Sequence, residues 1–154
     1  MSIEVEALGN QQVTIRPAMP SDVPRLAILS AQLGYPTTEA EVHERLLAIL
    51  LEENDALWVA EAPGGSVVGW VHVHLGQMLV EAPLAMVWGL VVDEAHRSQG
   101  IGAALMHQVE QWARERGCWA VSVNSNVIRE RAHAFYKRLG YTHTKTQMVL
   151  RKVL

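Results

Sequence analysis

An apolar strand, a glycine-containing turn and an amphipathic helix follow one another over residues 90–105, and this order constrains the fold most. The turn contains Gly100 and Gly102, with Arg97 just before them. The start of a helix presents unpaired backbone N–H groups and the positive end of the helix dipole. The glycines let an anion approach the backbone without meeting a Cβ. We therefore predict that this turn binds a phosphate. The alternative is a strand–helix connection without a ligand.

Two common phosphate-binding loops do not fit these residues. A P-loop requires a lysine directly after its second glycine, and none is present here. A dinucleotide-binding loop requires a third glycine where Leu105 stands, and an acidic residue after the next strand, where residues 121–124 contain none. Both classes of nucleotide site are excluded.

The glycine turn and a second segment carry a family resemblance. Residues 97–102, Arg-Ser-Gln-Gly-Ile-Gly, match the pattern Arg/Gln-x-x-Gly-x-Gly/Ala, which is motif A of the GNAT superfamily of acyl-CoA-dependent N-acetyltransferases. The second segment resembles motif B of that superfamily through Asn126, Arg129, Ala132, His133, Phe135, Tyr136, Gly140 and Tyr141. The resemblance covers roughly the whole chain, and its specific part is residues 88–141.

The order of elements predicts an α/β fold with helices on both faces of a sheet. We expect strands at residues 13–16, 57–60, 67–74, 86–92, 119–123 and 148–150, and helices at 20–33, 38–50, 101–116 and 130–139. Residues 1–10 are interpreted as a loose lead-in. The resemblance implies a mixed, mostly antiparallel central sheet that is splayed at the cofactor site. It also implies a single N-acetyltransferase domain over residues 1–154.

Helix ends are predicted from side chains that can cap them. Ser21 is expected to cap the first helix, and Gly34 to end it. Thr38 and Glu41 form a capping box for the second helix. The apolar stripe of that helix is predicted to comprise Val42, Leu46, Leu47 and Leu50.

The resemblance implies that the glycine turn wraps the pyrophosphate of coenzyme A. It also implies that a bulge in the preceding strand turns a backbone amide toward the acetyl group, for which Gly89 is a plausible site. The implied cofactor-binding residues are Leu90, Val91, Val92, Arg97, Ser98, Gln99, Gly100, Ile101, Gly102, Ala103, Asn126 and Tyr136. The alternative role of Asn126 is to cap the helix that follows it.

The implied reaction is attack of a neutral amine on the acetyl-CoA thioester. Tyr136 matches the motif B tyrosine that points at the coenzyme A sulfur, so it is expected to protonate the leaving thiolate. The alternative is a packing role at the edge of the core, because Ala132, Phe135 and Leu139 lie at helical spacing from it.

The general base is the least determined part of the predicted site. Residues 86–89 contain no carboxylate, and Asp93 is interpreted as a cap in the turn. The candidates are His72, His74 and Glu81, or a chain of water molecules. His72 and His74 share one face of their strand. A third ligand is not evident near them, so no metal site is predicted.

Composition limits the partners. The net charge is −3, so no nucleic-acid-binding surface is expected, although a cationic amine acceptor fits mild acidity. The one cysteine, Cys118, cannot form an internal disulfide and fits a reducing compartment. The first residues carry acids rather than a signal-peptide pattern, and no apolar run is long enough for a membrane span, so a cytoplasmic location is expected.

The resemblance implies two alternative function classes. The first is an acetyl-CoA-dependent N-acetyltransferase acting on a primary amine of a small molecule, a protein N-terminus or a lysine. The second is a non-catalytic module that senses acetyl-CoA. A homodimer remains open as the assembly.

Overall fold

The computed structural model describes residues 3–7 and 11–154, with side chains from Val13 onward. The described residues form a six-stranded sheet whose strands lie in chain order. These strands are β1 (Ile3–Ala7), β2 (Gln11–Pro17), β3 (Asp55–Glu61), β4 (Val67–Gly76), β5 (Leu84–Val92) and β6 (Ala120–Val123). Neighbouring strands are antiparallel except β5 and β6, which are parallel. The predicted mixed, mostly antiparallel sheet is confirmed.

Four α-helices accompany the sheet in the part of the chain that the structure describes. They are α1 (Val23–Leu33), α2 (Glu39–Leu50), α3 (Ile101–Glu115) and α4 (Glu130–Arg138). Short 3₁₀ turns over Pro20–Asp22 and Glu94–His96 precede α1 and α3. None of the helices in the described ranges has the length and apolar character needed to cross a bilayer.

Helices cover both faces of the sheet, as predicted. On one face, Leu29 of α1 and Leu46 of α2 belong to a buried cluster with Val59 and Val91. On the other face, Trp112 of α3 packs edge-to-face on Trp58, with ring centroids 6.1 Å apart. Val59 and Trp58 are consecutive residues of β3, so their side chains point to opposite faces. The core therefore consists of two layers, one on each side of the central strands.

The predicted capping box of α2 is confirmed. The Thr38 side chain accepts a hydrogen bond from the Glu41 N–H at 3.2 Å, and the Glu41 carboxylate accepts one from the Thr38 N–H at 3.1 Å. The apolar stripe is narrower than predicted, because Leu47 and Leu50 are each 43% exposed. Only the Leu46 side of the helix meets the sheet.

Ser21 does not cap the first helix. It lies inside the 3₁₀ turn, and the Asp22 carboxylate accepts the Met19 N–H at 2.8 Å instead. Asp22 is fixed there because the Arg16 guanidinium donates to both of its oxygens, at 2.8 and 2.9 Å. The ion pair with Arg16 thus holds the carboxylate that caps the turn.

Both ends of the chain differ from the prediction. The lead-in assigned to residues 1–10 is wrong for its described part, since residues 3–7 form β1 and pair with β2 from Ile3↔Ile15 to Ala7↔Gln11. The strand predicted at residues 148–150 is also wrong. Residues 141–154 form no helix or strand, and the side chains of Met148, Val149 and Leu150 are at least 80% exposed.

The chain divides into two compact units, Met1–Val123 and Asn124–Leu154. The first contains the whole sheet and α1–α3, and the second contains α4. The described part of the second unit has no other strand with which residues 148–150 could pair. An apolar pattern alone does not make a strand, because a strand also needs a pairing partner. A single domain over residues 1–154 stays a prediction.

Candidate active site

Strand β5 has a bulge where the sheet opens. His72 of β4 pairs with Gly89, and the next residue, Val73, pairs with Val87, so Trp88 is one extra residue in β5. On its other edge β5 pairs with β6 only from Leu84 to Val87. Beyond the bulge, β4 is the only described strand that pairs with β5, so backbone groups on the open edge can bind a ligand. The splay and the bulge implied by the resemblance are both present.

Gly89 is required by the packing at this bulge. A Cβ built on Gly89 would lie 2.7 and 2.8 Å from two ring carbons of Trp70. A side chain at this position would force either β5 or the Trp70 ring to shift. The indole nitrogen of Trp70 is buried without a hydrogen-bond partner in the described part of the chain. A hydrogen-bond donor is therefore unused at the splayed part of the sheet.

Asp93 fixes the turn that follows β5. Its carboxylate accepts hydrogen bonds from Arg25 at 3.0 Å, Gln32 at 3.2 Å and the Ala95 N–H at 3.4 Å. Burial alone would raise the pKa of Asp93, but these hydrogen bonds and the charge of Arg25 outweigh it and lower that pKa. The interpretation of Asp93 as a cap is confirmed, because it is the N-cap of the turn Glu94–His96.

The glycine turn has the geometry of an anion site. Ser98 and Gly100 have positive φ angles of 64° and 79°, and they bend the chain directly into α3. No side chain caps α3 at Gly100, so the first N–H groups of the helix have no intrahelical acceptor. The exposed Arg97 donates from Nε to the Val92 carbonyl at 3.3 Å, beside the open edge of β5. These features fit a pyrophosphate group.

Gln99 supplies a further polar group in the same turn. Its side-chain oxygen is buried and has no hydrogen-bond partner within the described ranges. The oxygen and nitrogen of a glutamine amide occupy equivalent positions, and a rotation of the amide exchanges them. The buried position can therefore present either an acceptor or an N–H donor to a ligand in the turn.

The two predicted histidines, His72 and His74, both contact the carboxylate of Asp55, a residue that the sequence analysis does not identify. His72 Nε2 lies 2.7 Å from Asp55 Oδ1, and His74 Nδ1 lies 3.2 Å from Asp55 Oδ2. The side chains of Asp55, His72 and His74 are 13%, 19% and 36% exposed. The His74 ring also lies against Trp88, with centroids 5.9 Å apart. Asp55 could have been found only from the register that pairs it with His74.

The third base candidate lies outside this cluster. Glu81 is exposed in the segment between β4 and β5. It is not among the groups that bond to His72 or His74 in the described residues. Nor does any group of three or more His, Cys, Asp or Glu side chains in these residues have the arrangement to hold a metal ion.

The second unit contains Tyr136 and Asn126. The Tyr136 ring lies between Phe135 and Tyr141, with centroid distances of 5.0 and 5.8 Å. Burial raises the pKa of Tyr136 to about 12, against a smaller opposing effect of the Arg129 charge, so the phenol is protonated at neutral pH. That state is the one that an acid requires.

Asn126 has a structural role at the start of α4. Its side-chain oxygen accepts the Ile128 N–H at 3.1 Å, and its backbone carbonyl accepts the Arg129 N–H at 3.0 Å. His133 Nε2 lies 2.9 Å from the same carbonyl. The predicted contact of Asn126 with the cofactor stays a prediction beside this loop-fixing role.

Comparisons with known proteins identify the family and agree with the fold. Residues 25–141 match the Acetyltransferase (GNAT) family. The aminoglycoside N(6')-acetyltransferase type 1 of Stenotrophomonas maltophilia is 30% identical over 145 residues, which are 92% of this chain and 94% of that protein.

Two solved structures share the fold. A transcriptional regulator from Bacillus halodurans C-125 has a TM-score of 0.83 at 25% identity, covering 91% of this chain and 99% of its own. An aminoglycoside N-acetyltransferase in complex with CoA has a TM-score of 0.82 at 18% identity, covering 92% and 95%. The extent of the family match settles the assignment: the chain belongs to the GNAT family and is an acetyltransferase enzyme.

Proposed function

We propose that this enzyme transfers the acetyl group of acetyl-CoA to a primary amine by direct attack. The observation that carries the proposal is the opening of β5 beside the uncapped start of α3. An extended thioester substrate needs a strand edge for its arm and a positive helix end for its phosphates. The relative that is 30% identical along nearly the whole chain is itself an N-acetyltransferase.

Acetyl-CoA lies with its pyrophosphate over residues 99–103 in this proposal. Arg97 and Ser98 flank the phosphates, and the backbone of Leu90, Val91 and Val92 pairs with the pantetheine arm. An N–H group beside the bulge binds the thioester oxygen, where negative charge develops in the transition state. Asn126 and Tyr136 complete the contacts that the motif B match suggests.

The chemistry transfers one acetyl group and one proton. A cationic acceptor first releases one proton to solvent. The lone pair of the neutral amine then attacks the thioester carbon, an oxyanion forms, and the carbon–sulfur bond breaks. Tyr136 donates its phenolic proton to the departing thiolate and regains a proton from solvent. The proton that the amine loses goes to His72, to His74, to Glu81 or to water.

The acceptor is proposed to be a cationic amine, as a small molecule, a protein N-terminus or a lysine. The net charge of −3 and the exposed Glu39 and Glu44 on α2 support this class. Aminoglycosides, which appear in the name of the Stenotrophomonas maltophilia relative, are one member of this class. A cytoplasmic location and the absence of metal, nucleic-acid and membrane partners stay predictions, as does a homodimer.

Calorimetric titration with acetyl-CoA, followed by a thiol-release assay with a panel of amines, tests this function. The panel contains aminoglycosides, polyamines, amino acids and a lysine peptide. We expect saturable acetyl-CoA binding and thiol release that depends on at least one cationic amine. Binding without release for every amine would favour the non-catalytic sensor, and no binding would reject both functions.

A further inference from the structure

We propose that Asp55 is a positioning residue that holds His72 as the general base of acetyl transfer. The inference rests on the proposed function and chooses among the base candidates that it leaves open. It is carried by the carboxylate that β3 places between two imidazole rings of β4.

The position of His72 in the sheet favours it over the other candidates. His72 is the register partner of Gly89, directly at the bulge of β5. Register partners on adjacent strands present their side chains on the same face. His72 therefore lies on the same face of the sheet as Gly89, at the level where β5 is no longer paired with β6 and where the thioester is proposed to bind. His74 pairs with Met86, on the far side of the bulge.

The hydrogen bonds assign different roles to the two rings. His72 lies 2.7 Å from Asp55, and His74 lies 3.2 Å from it. The His72 side chain is also the more buried of the two. A neutral His72 that donates its Nε2–H to Asp55 has the Nδ1 lone pair left to accept a proton. The His74 ring lies instead against Trp88.

The proton transfer is then complete. The nitrogen–hydrogen bond of the attacking amine breaks, and its proton moves to Nδ1 of His72. The Asp55 carboxylate stabilises the imidazolium that results, and the imidazolium later releases its proton to solvent. Asp55 touches no reacting atom, so its effect passes entirely through the ring that it orients.

A purely structural reading would make Asp55 a cross-link between two strands. Backbone hydrogen bonds also hold this hairpin together, because β3 and β4 pair along the whole of β3. Val59 and Val73 on these strands are completely buried. The two roles differ in what they change, since a cross-link affects the free energy of unfolding and a positioned base affects kcat.

The test combines His72→Ala, Asp55→Asn and the double variant in the thiol-release assay. We expect His72→Ala to lower kcat by about 10²–10⁴-fold with an unchanged KM for acetyl-CoA. Added imidazole should restore part of the rate in proportion to its concentration. His107→Ala, which removes an exposed histidine of α3, and Glu53→Gln, which neutralises an exposed acid next to β3, should keep the wild-type rate.

Asp55→Asn should lower kcat by about 10-fold or more in the wild-type background but have little further effect on His72→Ala, because groups that act as a unit are not additive. Additive losses, or a variant His74→Ala that imidazole rescues while His72→Ala is not rescued, would overturn the proposal. Equal activity of wild type and His72→Ala would also overturn it, without touching the proposed function. The proposed function fails only if wild type releases no thiol with any amine.

Discussion

At the scale of single residues, the glycine turn depends on two glycines for different reasons. Gly100 has a φ of 79°, so any side chain there strains the backbone. Gly102 lies in the first turn of α3, where an ordinary residue is tolerated by the helix. A side chain at Gly102 therefore separates the effect on ligand binding from the effect on folding.

Gly102→Val should weaken acetyl-CoA binding by at least about 10-fold, which corresponds to roughly 1.4 kcal/mol. The branched Cβ would occupy the position proposed for a phosphate oxygen. Calorimetric titration measures the change, and thermal unfolding checks that the fold is kept. Gly102→Ala is the matched control, since alanine also fits the motif A pattern, and it should bind nearly as wild type. Wild-type affinity of Gly102→Val would contradict the assigned phosphate position.

Tyr136→Phe should bind acetyl-CoA almost normally but lower kcat by about 10²–10⁴-fold, because only the acidic hydroxyl is removed. The ring contacts with Phe135 and Tyr141 are retained in this variant. Since the pKa of Tyr136 is about 12, the phenol should stay available as an acid throughout the neutral and mildly alkaline range. Unchanged turnover of Tyr136→Phe in the thiol-release assay would leave the residue with a packing role alone.

The candidate residues were visible in the sequence to different degrees. The glycine turn and Tyr136 are contained in contiguous motifs, and alternation alone places His72 and His74 on one face. Asp55 could not be predicted in the same way. Its position opposite His74 depends on a register shift between Ala60 and Glu61, which no local pattern in the hairpin reveals.

At the scale of elements, β5 combines a regular pairing with a local irregularity. The strand was predictable from its apolar run, and Gly89 marked the plausible site of a bulge. The contact of Gly89 with Trp70 makes this position sensitive to a single methyl group.

Gly89→Ala should destabilise the protein by about 1–3 kcal/mol, as overpacking of a well-packed site does. The alanine Cβ would lie 2.7 Å from a Trp70 ring carbon. This distance is shorter than a van der Waals contact, so the strand or the ring must move. Denaturant unfolding measures the loss. A second variant, Gly89→Ala with Trp70→Leu, should lose less than the two single losses combined, because the clash has been removed. Strict additivity would show that the ring does not constrain the bulge.

Elements with complete local signals were predicted well, and those that depend on distant partners were not. The second helix has its capping box as expected, and α3 forms where the sequence predicts it, with Ile101, Leu105 and Val109 buried. The predictions of a strand at residues 148–150 and of an apolar stripe that includes Leu47 and Leu50 are wrong. Strand pairing and burial both depend on the residues that lie opposite. The strand β1 was missed although residues 3–7 pair regularly with β2.

At the scale of the whole molecule, buried charge makes folding sensitive to acid. Asp22 is 6% exposed and pairs with Arg16, which also binds Glu61. Burial alone would raise the pKa of Asp22, but hydrogen bonds from Arg16 and the Met19 N–H, with the charge of Arg16, lower it overall. A carboxyl group with a lowered pKa stabilises the fold above its unfolded pKa and loses that contribution as pH falls through the folded value.

Asp22→Asn should therefore lower the free energy of unfolding by about 1–3 kcal/mol at pH 7, because a buried partner of Arg16 loses its charge. The difference between wild type and variant should shrink as the pH falls below the ordinary value of 3.8 for this carboxyl. Denaturant unfolding at a series of pH values measures it. A difference that stays constant with pH would show that the Asp22 charge does not contribute.

Following a labelled acetyl group from acetyl-CoA shows whether the acetyl group passes to the amine in a single transfer. After rapid quenching during turnover with the best amine of the panel, mass spectrometry identifies every labelled species. We expect label on the amine nitrogen and none on the protein, including Cys118, its one thiol. Labelled protein that passes its acetyl group to the amine, or label that reaches no amine, would contradict it.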